Sequence, residues 1–171
     1  MPDDLYETDI VGWSEDQAAR LRRVAAGGAP PDAAGVDWAN VVEEVESVGR
    51  SMLGTVRANL GTAWLRVLLA HGWPGHPDAG RWLEAADTAL ATARGFLDPG
   101  MERRLDPDRA YRDARRAVGE LRMDGRAPRR LPAAVPFGFR DLLDPAACNA
   151  HGLLRRVGEA AAAGEGAAGF R

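Results

Sequence analysis

Apolar residues in this chain recur every three or four positions, and nowhere do they alternate with polar ones long enough between turn signals to make a strand. Val41, Val45, Val48 and Met52 stand at helical spacings of four, three and four. Beyond them Leu60, Trp64, Leu65, Val67, Leu68 and Leu69 cover nearly every side of the same predicted helix. A helix that is apolar all round must be enclosed by others. This segment is therefore expected at the centre of a bundle, opened by Asp37 as cap, with Val36 and Val41 at staple positions, and closed near His71.

The same reading places a first helix after Trp13, with Ser14 and Gln17 as a capping box and Ala18, Leu21 and Ala25 as its stripe, stopped by Gly27-Gly28-Ala29-Pro30-Pro31. A third helix carries Trp82, Leu83, Ala86, Leu90, Ala93 and Leu97. A fourth begins at Asp106-Pro107 and buries Ala110, Ala114, Ala117 and Leu121, widened by Tyr111 and Val118. Residues 124–138 read as loop, and Leu142-Leu143 and Leu153-Leu154-Val157 as short terminal helices. Gly49, Gly54 and Gly61 inside the long helix predict close helix contacts or a kink. The expected fold is all-α, a bundle of about four main helices, with residues 1–159 as one helical domain and 160–171 as a flexible Ala/Gly-rich tail.

Charge changes this picture along the chain. Residues 1–48 hold 11 acids and 3 arginines, a net of −8; residues 49–171 hold 19 arginines and 14 acids, a net of +5; together they give the overall −3. A net-acidic chain is a poor general binder of phosphate backbones. The single cysteine, Cys148, excludes an internal disulfide. The acidic start lacks the order of a secretory signal, and Leu60 to Trp73 is too short and too interrupted to span a membrane, so a cytoplasmic protein without membrane attachment is expected.

Several segments together resemble the bacterial domain-of-unknown-function 29 family. They are Leu5-Tyr6-Glu7-Thr8-Asp9 with Trp13 and Gln17, Asp37-Trp38 followed by Glu43-Glu44-Val45-Glu46 and Gly49, Leu68-Leu69 with His71, Trp82, and Tyr111-Arg112-Asp113-Ala114-Arg115. The resemblance runs over about residues 5 to 145 and implies an all-helical fold and a bacterial origin, and no activity. Pro136-Phe137 stands where family members often carry Cys-Pro.

Candidate chemistry is sparse. No nucleophile elbow, phosphate-cradling glycine loop or dinucleotide fingerprint is present, so no catalytic residue and no cofactor are assigned, and the reading leans away from an enzyme. Glu43, Glu44 and Glu46 diverge around their helix, Glu46 being placed to pair with Arg50 and Glu44 to border the apolar face. A metal site, as one alternative, would gather Asp37, Glu44 and His71. His71 is otherwise expected to satisfy the last carbonyls of its helix. Eight arginines from Arg109 to Arg130 raise nucleic acid as a second alternative. The pairs Asp108–Arg112, Arg109–Asp113 and Arg116–Glu120 read instead as a salt-laced surface, and the loop offers no aromatic to stack a base. The favoured reading is a non-enzymatic module that binds a protein partner or its own copy, with Tyr6, Trp13 and Trp38 as candidate partner-binding residues.

Overall fold

The computed structural model describes residues 3–27, 36–135, 137–146 and 148–168. Its helices are α1 (Asp3–Thr8), α2 (Ile10–Ala26), α3 (Trp38–Gly72), α4 (Ala79–Gly95), α5 (Pro107–Glu120), α6 (Phe139–Leu143) and α7 (Ala150–Ala168), with a 3₁₀ turn at Pro99–Arg103 between α4 and α5. Among the described residues there is no strand, only an isolated bridge between Met123 and Arg126. The class is all-α, as the periodicity predicts. The connector 28–35, Pro136 and the last three residues of the predicted tail lie outside the described residues.

The chain divides into two compact units that alternate along the sequence. The first takes residues up to Thr55 together with Phe96–Leu105; the second takes Val56–Gly95 and the chain from Asp106 onward. The long helix α3 contributes its first part to one and its remainder to the other.

In the first unit α2 starts four residues earlier than the predicted Ser14 cap. Asp9 caps it, accepting from the Gly12 amide at 2.8 Å, and the six residues before Asp9 are themselves the short helix α1. Ser14 lies inside α2, buried, and donates to the Val11 carbonyl at 2.9 Å. That back-bond hides the hydroxyl where α3 crosses α2. A Cβ on Gly49 would fall 2.5 Å from Ser14 Oγ and 2.8 Å from Val11 Cα, so only glycine admits this approach.

The buried face of α3 here runs through Val42, Gly49 and Leu53, while Val41 and Val48 are exposed. The predicted stripe was rotated by about one residue, because Leu53 and Gly49 fix the phase. Val36 and Val41 are both exposed, so no hydrophobic staple forms, although Asp37 does cap the helix through Asn40. Gly54 and Gly61 meet nothing within 4 Å, and α3 is continuous past them, so they mark neither a close contact nor a break.

The second unit holds the core expected of an all-round apolar helix. Leu60, Trp64, Val67 and Leu68 are almost fully buried, and the Trp64 ring meets Tyr111 at 5.1 Å and Phe137 at 5.2 Å, both edge to face. In α5 the buried face is Tyr111, Ala114 and Val118. Leu121 and Ala117, predicted inside, are exposed, since burying a tyrosine and a valine removes more apolar surface from water than burying alanines does. The Asp106 cap and Pro107 at the first turn are as predicted, with the Arg109 amide donating to Asp106 at 2.9 Å. Asp141 accepts from the Gly138 amide at 2.7 Å and from Arg156 of α7 at 2.9 Å, and the Arg156 guanidinium holds its carboxyl below the usual range. Helix α7 continues into the Ala/Gly-rich stretch, which alanine's helix propensity favours.

Cys148 lies just before α7, fully buried, and Arg94 donates to its carbonyl at 2.7 Å. His151 is exposed, so the two do not form a reactive pair. Burial pushes the Cys148 thiol up to about 11. We expect its reaction with an aromatic disulfide reagent at pH 8 to be roughly 100-fold or more slower in the native protein than in urea-unfolded chain. A comparable rate in both states would show that the segment around it opens freely.

Candidate functional site

The N-terminal surface of the first unit is assembled from carboxylates and one arginine. The backbone amides at the start of α2 have no partner within the helix. Asp9 satisfies the Gly12 amide. Asp98, buried and reached from a distant part of the chain, accepts from the Ile10 amide at 2.9 Å and from Gly100 at 2.7 Å. Arg104 then lies 3.4 Å from Asp9 and 2.8 Å from Glu15. At Gly100 a Cβ would collide with the Asp9 carboxyl, so the 98–104 turn sits directly on the helix start.

On this base Tyr6 and Trp13 meet edge to face, ring centres 4.9 Å apart, with Tyr6 still 52% exposed and Leu5 39%. Glu7 beside them is exposed, as is the Glu15 side chain. Two of the three candidate partner-binding residues are therefore brought together. The third, Trp38, is not with them: it stands near the other end of α2, against Ala25 and Ala26, and lines an open groove of about 630 Å³ with Val42, Glu43 and Glu46. Its indole Nε1 is buried without a hydrogen-bond partner among the described residues.

The carboxylates of α3 sort differently from expectation. Glu44 is exposed. Glu46 is the half-buried one, paired with Arg22 at 2.6 Å and, as predicted, with Arg50 at 3.4 Å. The hydrogen bond from Arg22 is the main reason its carboxyl lies below the usual range. Asp37 and His71 stand at opposite ends of α3, and among the described residues no three His, Cys, Asp or Glu groups gather as metal ligands.

His71 does not bond the last carbonyls of its own helix. Its Nε2 donates to the Arg130 carbonyl at 3.2 Å, and Trp73 Nε1 donates to the Arg126 carbonyl at 3.3 Å, so both residues tether the arginine-bearing loop of the second unit. Of the helix pairs predicted in α5, Arg109–Asp113 forms at 3.7 Å. Arg112 turns to Asp106 at 3.1 Å and Arg116 to Asp113 at 3.5 Å, leaving two of the expected pairings replaced.

These features define an all-α protein with an exposed acidic-aromatic surface on its first unit. A family model described as "Domain of unknown function DUF29" matches residues 5–147, and the chain belongs to that family. Among solved structures, an alpha-helical protein of unknown function from Rhodospirillum rubrum is similar, at 27% identity over 89% of this chain and 96% of that one, with a TM-score of 0.69. No curated protein matches. No helix among the described residues is long and apolar enough to cross a membrane.

Proposed function

We propose that the chain is a protein-interaction module whose docking surface is the Leu5–Trp13 face of the first unit, and that its partner is a protein presenting a cationic segment. The observation that carries this reading is Tyr6. It is an aromatic side chain left half in solvent, yet held by the Trp13 ring on a helix start that Asp9, Asp98 and Arg104 fix in place. Exposed aromatics on a preorganised base are the anchors that contribute most to protein interfaces. The acidic surround, Glu7 and Glu15 within a segment of net charge −8, favours an arginine- or lysine-bearing partner over a second copy of the same acidic face.

The test starts with affinity purification from the native host at near-physiological salt, comparing the parent with Tyr6→Ala. The expected result is one protein recovered in stoichiometric amount by the parent, bound about 30-fold or more weakly by the variant, and released as salt rises. Because Tyr6 is half exposed, the variant's melting temperature should stay close to the parent's. Equal capture by both chains, or weakened capture that only follows a loss of stability, overturns the reading. So does recovery of the chain alone.

A further inference from the structure

The loop after α5 closes against the end of α3 and leaves a cavity of about 480 Å³ lined by Trp73, His76, Met123, Asp124, Arg126 and Arg129. Three observations about it are independent of the acidic surface on the first unit.

The first concerns the arginines. Along α5 and just after it arginines find partners: Arg109, Arg112 and Arg116 pair with aspartates, Arg115 donates to the Leu131 carbonyl, and Arg122 donates to carbonyls at the end of α5. The guanidinium groups of Arg126 and Arg129 have no hydrogen bond or ion pair among the described residues. These are the two that line the cavity.

The second is how firmly their backbone is placed. Met123 and Arg126 exchange both backbone hydrogen bonds, at 3.0 and 2.8 Å, around Asp124 (φ 49°) and Gly125 (φ 74°), the two left-handed residues of a type I′ turn. Trp73 Nε1 holds the Arg126 carbonyl, the Arg129 amide donates to the Gly72 carbonyl at 2.9 Å, and His71 holds Arg130. Holding Asp124 in the left-handed region is disfavoured for a residue with a side chain, and it persists because these bonds over-determine the loop.

The third is His76. Its Nδ1 accepts the Asp78 amide at 3.1 Å, so in the neutral ring the proton sits on Nε2, and the ring is stacked on Trp82 at 4.6 Å. Nε2–H is left as a donor with no partner among the described residues.

We infer that this cavity binds a small phosphate-bearing molecule, with Arg126 and Arg129 as bidentate partners of the phosphate and His76 Nε2–H as a third donor. Two guanidinium groups on a preset loop, with the His76 ring N–H beside them, match a doubly charged oxyanion, and guanidinium geometry favours phosphate. One carboxylate, Asp124, also lines the cavity. A strand of nucleic acid fits less well, because Trp73 is buried and offers no exposed ring on which a base could stack.

The experiment uses the full chain and inorganic pyrophosphate as probe, followed by calorimetry and by NMR shifts of the Arg126 and Arg129 resonances at constant ionic strength. Saturable binding is expected, weakened about tenfold or more by Arg126→Ala and by Arg129→Ala singly, and also by His76→Gln. The arginine side chains make no hydrogen bond or ion pair among the described residues, so those variants should fold, which an unchanged melting temperature verifies. Absence of saturable pyrophosphate binding overturns the inference. So does binding unaffected by the three variants, or a single-stranded oligonucleotide that binds more tightly with a steep salt dependence.

Discussion

Replacing Trp64 by alanine is expected to lower stability by about 3–5 kcal/mol, a large fraction of what holds a domain of this size together. Trp64 is 1% exposed and sits among Leu60, Val67 and Leu68. Its ring is the common partner of Tyr111 and Phe137. Truncation forfeits the apolar area of an indole and opens a void, and both edge-to-face contacts go with it; such aromatic pairs are worth about 0.5–1.5 kcal/mol each beyond their area. Trp64→Phe keeps one ring in place and should cost about half as much. Urea unfolding followed by far-ultraviolet circular dichroism reads both variants. A loss under about 1 kcal/mol for the alanine variant would mean that the three rings do not form the core of the second unit.

Asp98→Ala is expected to cost about 3 kcal/mol for a different reason, since almost no apolar surface is involved. The carboxylate accepts from two amides, Ile10 at the start of α2 and Gly100 in the 98–104 turn, and it is only 8% exposed. Removing it leaves two buried donors unpaired, at roughly 1–3 kcal/mol for each, and withdraws a negative charge from a helix N-terminus. Asp98→Asn retains one acceptor oxygen and should fall between the two. Thermal unfolding of the three proteins orders them as parent, Asn, Ala. An alanine variant as stable as the parent would show that water satisfies those amides and that the 98–104 turn contributes nothing to the start of α2.

The sequence carried the long helix legibly. Its cap at Asp37, its end near His71 and the Asp106-Pro107 start of α5 are local signals, written in residues that touch each other. What it hid was settled by residues far apart in the chain. Ser14 and Gln17 form a sound capping box on paper, yet Ser14 is buried where Gly49 lets α3 approach, and Asp9 caps instead while Asp98, 88 positions on from Ile10, takes the Ile10 amide. In α3 Glu46, not Glu44, is the half-buried carboxylate, since Arg22 holds it and Gly49, not the valine stripe, meets α2 at Val11 and Ser14.

The candidate surfaces followed the same division. Tyr6 and Trp13, seven apart across a helix junction, are legible in the sequence as aromatics near an acidic start, but their edge-to-face contact is not. The arginine loop was visible only as composition. That His71 and Trp73 pin the loop carrying Arg126 and Arg129 depends on hydrogen bonds spanning more than fifty residues. Periodicity has no access to such bonds.

The interleaving of the two units has a practical consequence for anyone who cuts this protein. The chain passes from one unit to the other after Thr55, after Gly95 and after Leu105, so neither unit corresponds to a contiguous stretch of the gene. A fragment ending at Thr55 would carry Tyr6 and Trp13 but lack Asp98 and Arg104, the groups that fix the helix beneath them. Deletion mapping of a partner would then report loss of binding for almost any truncation, wherever the partner docks. Point substitutions that leave both units whole are the way to locate the surface.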